Sequence, residues 1–114
     1  MFVVYLFCIR CNISIVLNRE TILQYLRENK EFFRNEFHVS KIGIFGSFAR
    51  NEQGSDSDVD ILVELDSNAI HVFDLKWALR ELLKQKFERE VDICNARHIK
   101  PFAKEFILKD AIYA

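Results

Sequence analysis

The chain has 114 residues, half of them hydrophobic and 29% charged, with a formal net charge of -1. That length suits one domain with its own core, and the balanced charge disfavours nucleic acid as the main partner, since phosphate affinity is supplied largely by Lys and Arg. The odd set Cys8, Cys11 and Cys94 excludes a disulfide scaffold and predicts a reducing, cytoplasmic setting.

Residues 1–17 are an apolar N-terminal stretch interrupted by Arg10 and Asn12. It is shorter than the roughly 20 apolar residues of a membrane-spanning helix. It also lacks the basic start and cleavage site of a secretory signal, so no membrane role is expected. Two readings stand: one or two short strands, favoured by the β-branched and aromatic content, or an extension that the core does not need, ahead of a domain over 18–114. Cys8 and Cys11 have C-x-x-C spacing, but His38, His71 and His98 are scattered singly and complete no zinc set.

Asn18 is a fitting N-cap for a first helix ending near Glu36, with Ile22, Leu26, Phe33 and Phe37 on its apolar stripe. Residues 42–45 read as a short buried strand. Residues 46–57 are rich in Gly, Ser, Asn and Asp and read as a loop. Val59, Ile61 and Val63 alternate with Asp58, Asp60 and Leu62, the period of a second strand. Ser67 or Asn68 is placed to cap a second helix, whose stripe of Phe73, Leu75, Leu79, Leu82, Leu83 and Phe87 should face the core with Trp77 near its margin. Residues 90–94 read as a third strand. Pro101 suits the first turn of a last helix, with Phe102, Phe106 and Ile107 as its apolar side. The order helix, strand, strand, helix, strand, helix predicts an α/β (α+β) domain, a small mixed sheet with helices packed on it.

Asp58 and Asp60, two apart on a strand, project from one face about 6–7 Å apart. Such a pair repels itself unless a proton or cation intervenes, and Mg²⁺ is the natural hard ion for carboxylates that share it with phosphates. Val91 and Ile93 point into the core, so Asp92 points away from it. If its strand lies beside the second, three carboxylates converge. Gly46 and Ser47 follow the first strand directly, where a tight turn offers N–H groups and a hydroxyl to phosphate, and Arg50 adds a two-pronged donor.

Gly46-Ser47-Phe48-Ala49-Arg50, followed by Ser57-Asp58-Val59-Asp60-Ile61-Leu62-Val63, resembles the signature of the DNA polymerase β-type nucleotidyltransferase superfamily. The nearest resemblance is to its minimal, MNT or MntA-like, branch. It runs from about residue 17 to the C-terminus and includes Val91-Asp92-Ile93 and residues 107–113. The resemblance implies the nucleotidyltransferase fold, with Asp58 and Asp60 on catalytic metals and Asp92 as the third carboxylate. Gly46 and Ser47 would hold the triphosphate, with Arg50 and Ser57 also on the nucleotide side. Asn51 departs from the family's second glycine, although Asn tolerates positive φ better than most residues.

The implied reaction is attack of a hydroxyl on the α-phosphate of a nucleoside triphosphate, ATP on family grounds, with Mg²⁺ in a two-ion site and Mn²⁺ as the alternative. Minimal members resemble antitoxins that silence a HEPN-type toxin, a ribonuclease, by adenylylating a tyrosine, which implies that toxin as partner. A contact-only antitoxin and a small-molecule nucleotidyltransferase are the alternatives. Homo- and hetero-oligomers both remain open. For the other residues plainer assignments are expected. His71 and His98 lie at the surface, Trp77 belongs to the core, and Lys84, Lys86, Glu88, Arg89 and Glu90 form a solvated turn. Phe32 is a candidate interface residue.

Overall fold

A computed structural model describes residues 17–114, and the two readings of the N-terminal stretch lie outside the described residues except at Leu17. The first helix is two helices. α1 spans Arg19–Glu28 and α2 spans Lys30–Phe37. At the start of α1, the Asn18 side chain accepts from the Thr21 N–H at 2.9 Å while the Thr21 hydroxyl accepts from the Asn18 N–H at 3.0 Å. This reciprocal pair satisfies two orphan donors. The break falls at Asn29, whose side-chain amide donates to the Tyr25 carbonyl at 2.8 Å. Local side-chain bonding of this kind competes with the helical ladder. The apolar stripe runs through the break, with Ile22, Leu26 and Phe33 fully buried.

β1 (Val39–Phe45) leads into a one-turn helix, α3 (Gly46–Ala49), where the sequence suggested only loop. β2 (Val59–Leu65), α4 (Val72–Phe87), β3 (Val91–Asn95), a 3₁₀ turn (Ala96–His98), α5 (Pro101–Asp110) and β4 (Ile112–Tyr113) follow. α4 does not start on Ser67 or Asn68. Asn68 instead donates its N–H to the Asp66 carboxylate at 2.9 Å in a turn, and His71 stands at the helix start in the left-handed region. Pro101 does occupy the first turn of α5.

The sheet is mixed, in the order β3-β2-β1-β4. β1 is antiparallel to β2 and β4, and β2 is parallel to β3. The parallel pair requires a crossover, which α4 supplies. Val59, Ile61 and Val63 of β2 are fully buried in the core with Ile44, Leu79 and Leu83. Tyr25 packs edge-on against Phe33 and Phe87, at ring-centroid distances of 6.2 and 5.6 Å, which joins α1, α2 and α4. The short β4 was not anticipated, and it explains Gly43. A Cβ there would run into the Ile112 carbonyl, so glycine is what lets β4 pair.

The stripe of α4 faces the core through Leu75, Leu79, Leu82, Leu83 and Phe87, but aromatic residues of α4 and α5 do not follow it. Phe73 and Trp77 of α4 are 79% and 58% exposed, and Phe102 and Phe106 of α5 are exposed as well. The core contacts of α4 run through Leu79, Leu83 and Phe87, with Val72, Leu75 and Leu82 packed beside them, and Phe73 and Trp77 fall outside that stripe. Among the described residues, no helix is long and apolar enough to cross a membrane.

Candidate active site

The expected residues gather at one end of the sheet, where β1 ends and β2 and β3 begin. Phe45, the last residue of β1, is the register partner of Asp60. Gly46 follows with φ 75, a conformation that favours glycine. A Cβ on Gly46 would collide with the Asp60 carboxylate, so the turn backbone lies directly against that side chain. Phe48, fully buried, and Ala49 anchor α3 in the core. The Ala49 carbonyl accepts from Arg19 at 3.2 Å. The Ser47 hydroxyl makes no hydrogen bond among the described residues.

Asp58 stands one residue before β2 rather than on it, and is exposed. Asp60 is the register partner of Asp92 on the parallel strand β3. Paired residues on neighbouring strands project to the same side, so these carboxylates share a face opposite the core residues Val91 and Ile93. The environment is electrostatically costly. Burial first, then the charges of Asp92 and Asp58, push the Asp60 carboxyl up to about 6, against a smaller opposing pull from Arg50. Among the described residues, no group of three or more His, Cys, Asp and Glu side chains is drawn tightly enough to enclose an ion unaided. An open set of carboxylate oxygens fits a hard cation that takes remaining ligands from water and substrate phosphate.

Arg50 and Ser57 make other contacts in this structure. Arg50 Nη1 meets Asp110 Oδ2 on α5 at 2.8 Å and its Nε meets Glu52 at 2.9 Å. Ser57 Oγ accepts from the Gly54 N–H at 2.7 Å and so shapes the loop before Asp58. Asn51 takes φ 63, the positive angle for which asparagine stands in for glycine.

Arg89 is the residue the sequence did not reveal. Its Nη1 donates to the Ser57 carbonyl at 3.0 Å and the Gly54 carbonyl at 3.2 Å, and its guanidinium lies 5.4 Å from the Phe48 ring centroid. One side chain just before β3 thereby ties together α3, the loop into Asp58 and the strand bearing Asp92. Its partners are backbone carbonyls more than thirty residues away, so no sequence pattern carries the signal. A groove of about 440 Å³ opens beside the carboxylates, between Asp58 and Asp92 on one side and Phe73, Lys76, Trp77 and Arg80 of α4 on the other.

A turn packed on a strand carboxylate, with more carboxylates beside it, is an arrangement suited to a phosphate group that carries a hard cation. A family model described as nucleotidyltransferase domain matches residues 24–114. A candidate protein adenylyltransferase of Methanocaldococcus jannaschii is 37% identical over 93 residues, 81% of this chain and 93% of that one. Protein adenylyltransferase MntA of Thermococcus cleftensis is 32% identical over 100 residues, 86% of this chain and 97% of that one. A solved candidate minimal nucleotidyltransferase superposes with a TM-score of 0.69 at 27% identity, covering 87% of this chain and 98% of that chain. The complex of a tri-AMPylated Shewanella oneidensis HEPN toxin with its MNT antitoxin matches with a TM-score of 0.53 at 22% identity, over 79% of this chain and 70% of that chain, a likeness of fold alone.

The chain belongs to the nucleotidyltransferase domain family, in its minimal branch, and is a nucleotidyltransferase.

Proposed function

We propose that this enzyme transfers AMP from ATP to a tyrosine hydroxyl of a HEPN-type toxin and so acts as its antitoxin. The observation that carries this reading is the packing of Gly46 against Asp60, which is itself paired with Asp92. Phosphate-facing backbone and acidic side chains are thus adjacent, as a metal-bound triphosphate requires. The protein adenylyltransferase names of relatives that share most of this chain support AMP as the group moved and protein as the acceptor. The HEPN toxin carrying AMP in a complex of the same fold supports the partner.

Asp58, Asp60 and Asp92 are the residues that would hold the divalent ion, Mg²⁺ or Mn²⁺, and the pairing of Asp60 with Asp92 on one sheet face, two residues from Asp58, is the geometry that fits them to one. Bound there, one or two ions would neutralise phosphate charge and lower the pKa of the acceptor hydroxyl. The Gly46 and Ser47 N–H groups and the Ser47 hydroxyl orient the triphosphate. The acceptor oxygen bonds to the α-phosphorus as the bond to the β-phosphate oxygen breaks, pyrophosphate leaves, and the Asp92 carboxylate accepts the hydroxyl proton. Residues 18–114 are the transfer unit, so a chain starting at Leu17 should keep full activity. The test is incubation with α-labelled ATP, Mg²⁺ and the product of the adjacent gene. Label on a tyrosine of that product is expected, and a partner left unlabelled by active enzyme contradicts the reading.

A further inference from the structure

We infer that the groove between α4 and β3 is the acceptor subsite, and that it takes a segment of the partner protein carrying the tyrosine, anchored on exposed aromatic side chains. The inference rests on the proposed transfer to a protein hydroxyl and adds where the acceptor docks and what it must look like.

The first argument is sidedness. Across this end of the sheet the order is the Gly46 turn after β1, then Asp60 on β2, then Asp92 on β3, the outermost strand among the described residues. In phosphoryl transfer the attacking and leaving oxygens stand roughly in line across the phosphorus. With the leaving pyrophosphate on the turn, the acceptor enters from the β3 side, and there the groove reaches Asp58 and Asp92.

The second argument is the wall. Phe73 and Trp77 are one helical turn apart and largely exposed. They do no core work, yet they flank the carboxylates, and exposed aromatics of this kind form the anchors of interfaces. Arg80, one turn below Lys76, donates its Nε to the Val91 carbonyl at 3.2 Å and fixes α4 to the strand. Lys76 and Arg80 share the groove with Asp58, Glu90 and Asp92, so its charges are mixed and the aromatic pair is its main apolar feature. A volume of about 440 Å³ suits an aromatic side chain with its neighbouring residues and excludes a folded domain, so the occupant is a segment.

Trp77 is the single tryptophan of the chain, so its emission reports on the groove directly. With a tyrosine-containing peptide of the toxin as probe, the emission should shift to the blue, while the non-hydrolysable ATP analogue with Mg²⁺ leaves it unchanged. With the toxin as acceptor, Phe73→Ala/Trp77→Ala should raise the acceptor KM roughly tenfold without changing nucleotide affinity. Trp77→Phe should restore most of the loss. A shift with nucleotide alone, or lost nucleotide affinity in the double variant, would make this a nucleoside subsite and overturn the inference. Wild-type acceptor KM in the double variant overturns it too, with protein adenylylation intact. If the wild type modifies no protein hydroxyl, the proposed function fails and the inference falls with it.

Discussion

Asp60 and Asp92 are register partners on adjacent parallel strands, and their carboxylates share the face of the sheet that the core does not cover. Burial first, then the charges of Asp92 and Asp58, lift the Asp60 carboxyl from its ordinary 3.8 to about 6. This end of the sheet therefore costs stability when no cation is bound.

Asp60→Asn should stabilise the metal-free protein at neutral pH while abolishing transfer. Between pH 4 and pH 6 the folded chain holds a proton that the unfolded chain has released, so this group's contribution falls as pH rises through that window. Above it, the charged carboxylate costs roughly 1 kcal/mol after allowance for its partial exposure. Thermal melting at pH 7.5 should rise by a few degrees in Asp60→Asn, and the gain should vanish near pH 4. Activity should drop roughly a thousandfold. A variant melting below wild type at pH 7.5 would contradict the electrostatic account.

Gly46→Ala should fail on two counts, because its Cβ meets the Asp60 carboxylate and its φ is positive. We expect a loss of roughly 1–3 kcal/mol in stability and weaker nucleotide binding, read by denaturant unfolding and calorimetric titration. Asn51 gives the contrasting case. At φ 63, Asn51→Gly should be nearly neutral and Asn51→Val should cost about 1 kcal/mol or more.

Arg50 and Asp110 close α5 onto the loop through a contact of 2.8 Å. Arg50→Ala and Asp110→Ala should lower the melting temperature by similar amounts, with little further loss in the double variant and a smaller effect at high salt. The nucleotide KM separates the two roles of Arg50. A rise in Arg50→Ala alone identifies phosphate contact, and equal values in both variants identify a tether.

Arg89→Ala should lower kcat about tenfold with little change in nucleotide KM, because it loosens the loop into Asp58 without touching substrate. Arg89→Lys should recover part of the loss, since one cationic donor still reaches the Ser57 carbonyl but cannot span both acceptors.

The geometry of the candidate site was legible in the sequence where it depends on local pattern. Alternation around Asp60 and Asp92 predicted which side of each strand the carboxylates occupy, and the register between the strands agrees. The capping role of Asn18 was readable for the same reason, since its partner Thr21 is three residues away. The break at Asn29 was hidden because the apolar stripe continues from Leu26 to Phe33 across it. Phe73 and Trp77 share the helical spacing of core residues, and only the tertiary coverage of α4 distinguishes them. Arg89 looked like one more charge in a solvated turn because its role depends on carbonyls brought near by folding.

The central claim is that the carboxylates act by chemistry and not by holding a partner still. The most direct measurement is the intact mass of the toxin after incubation with ATP, Mg²⁺ and either wild type or Asp58→Asn, with its ribonuclease activity assayed in the same samples. The account predicts added AMP and silenced toxin with wild type, and unmodified, active toxin with the variant. A toxin silenced equally by both, with no added mass, would contradict it.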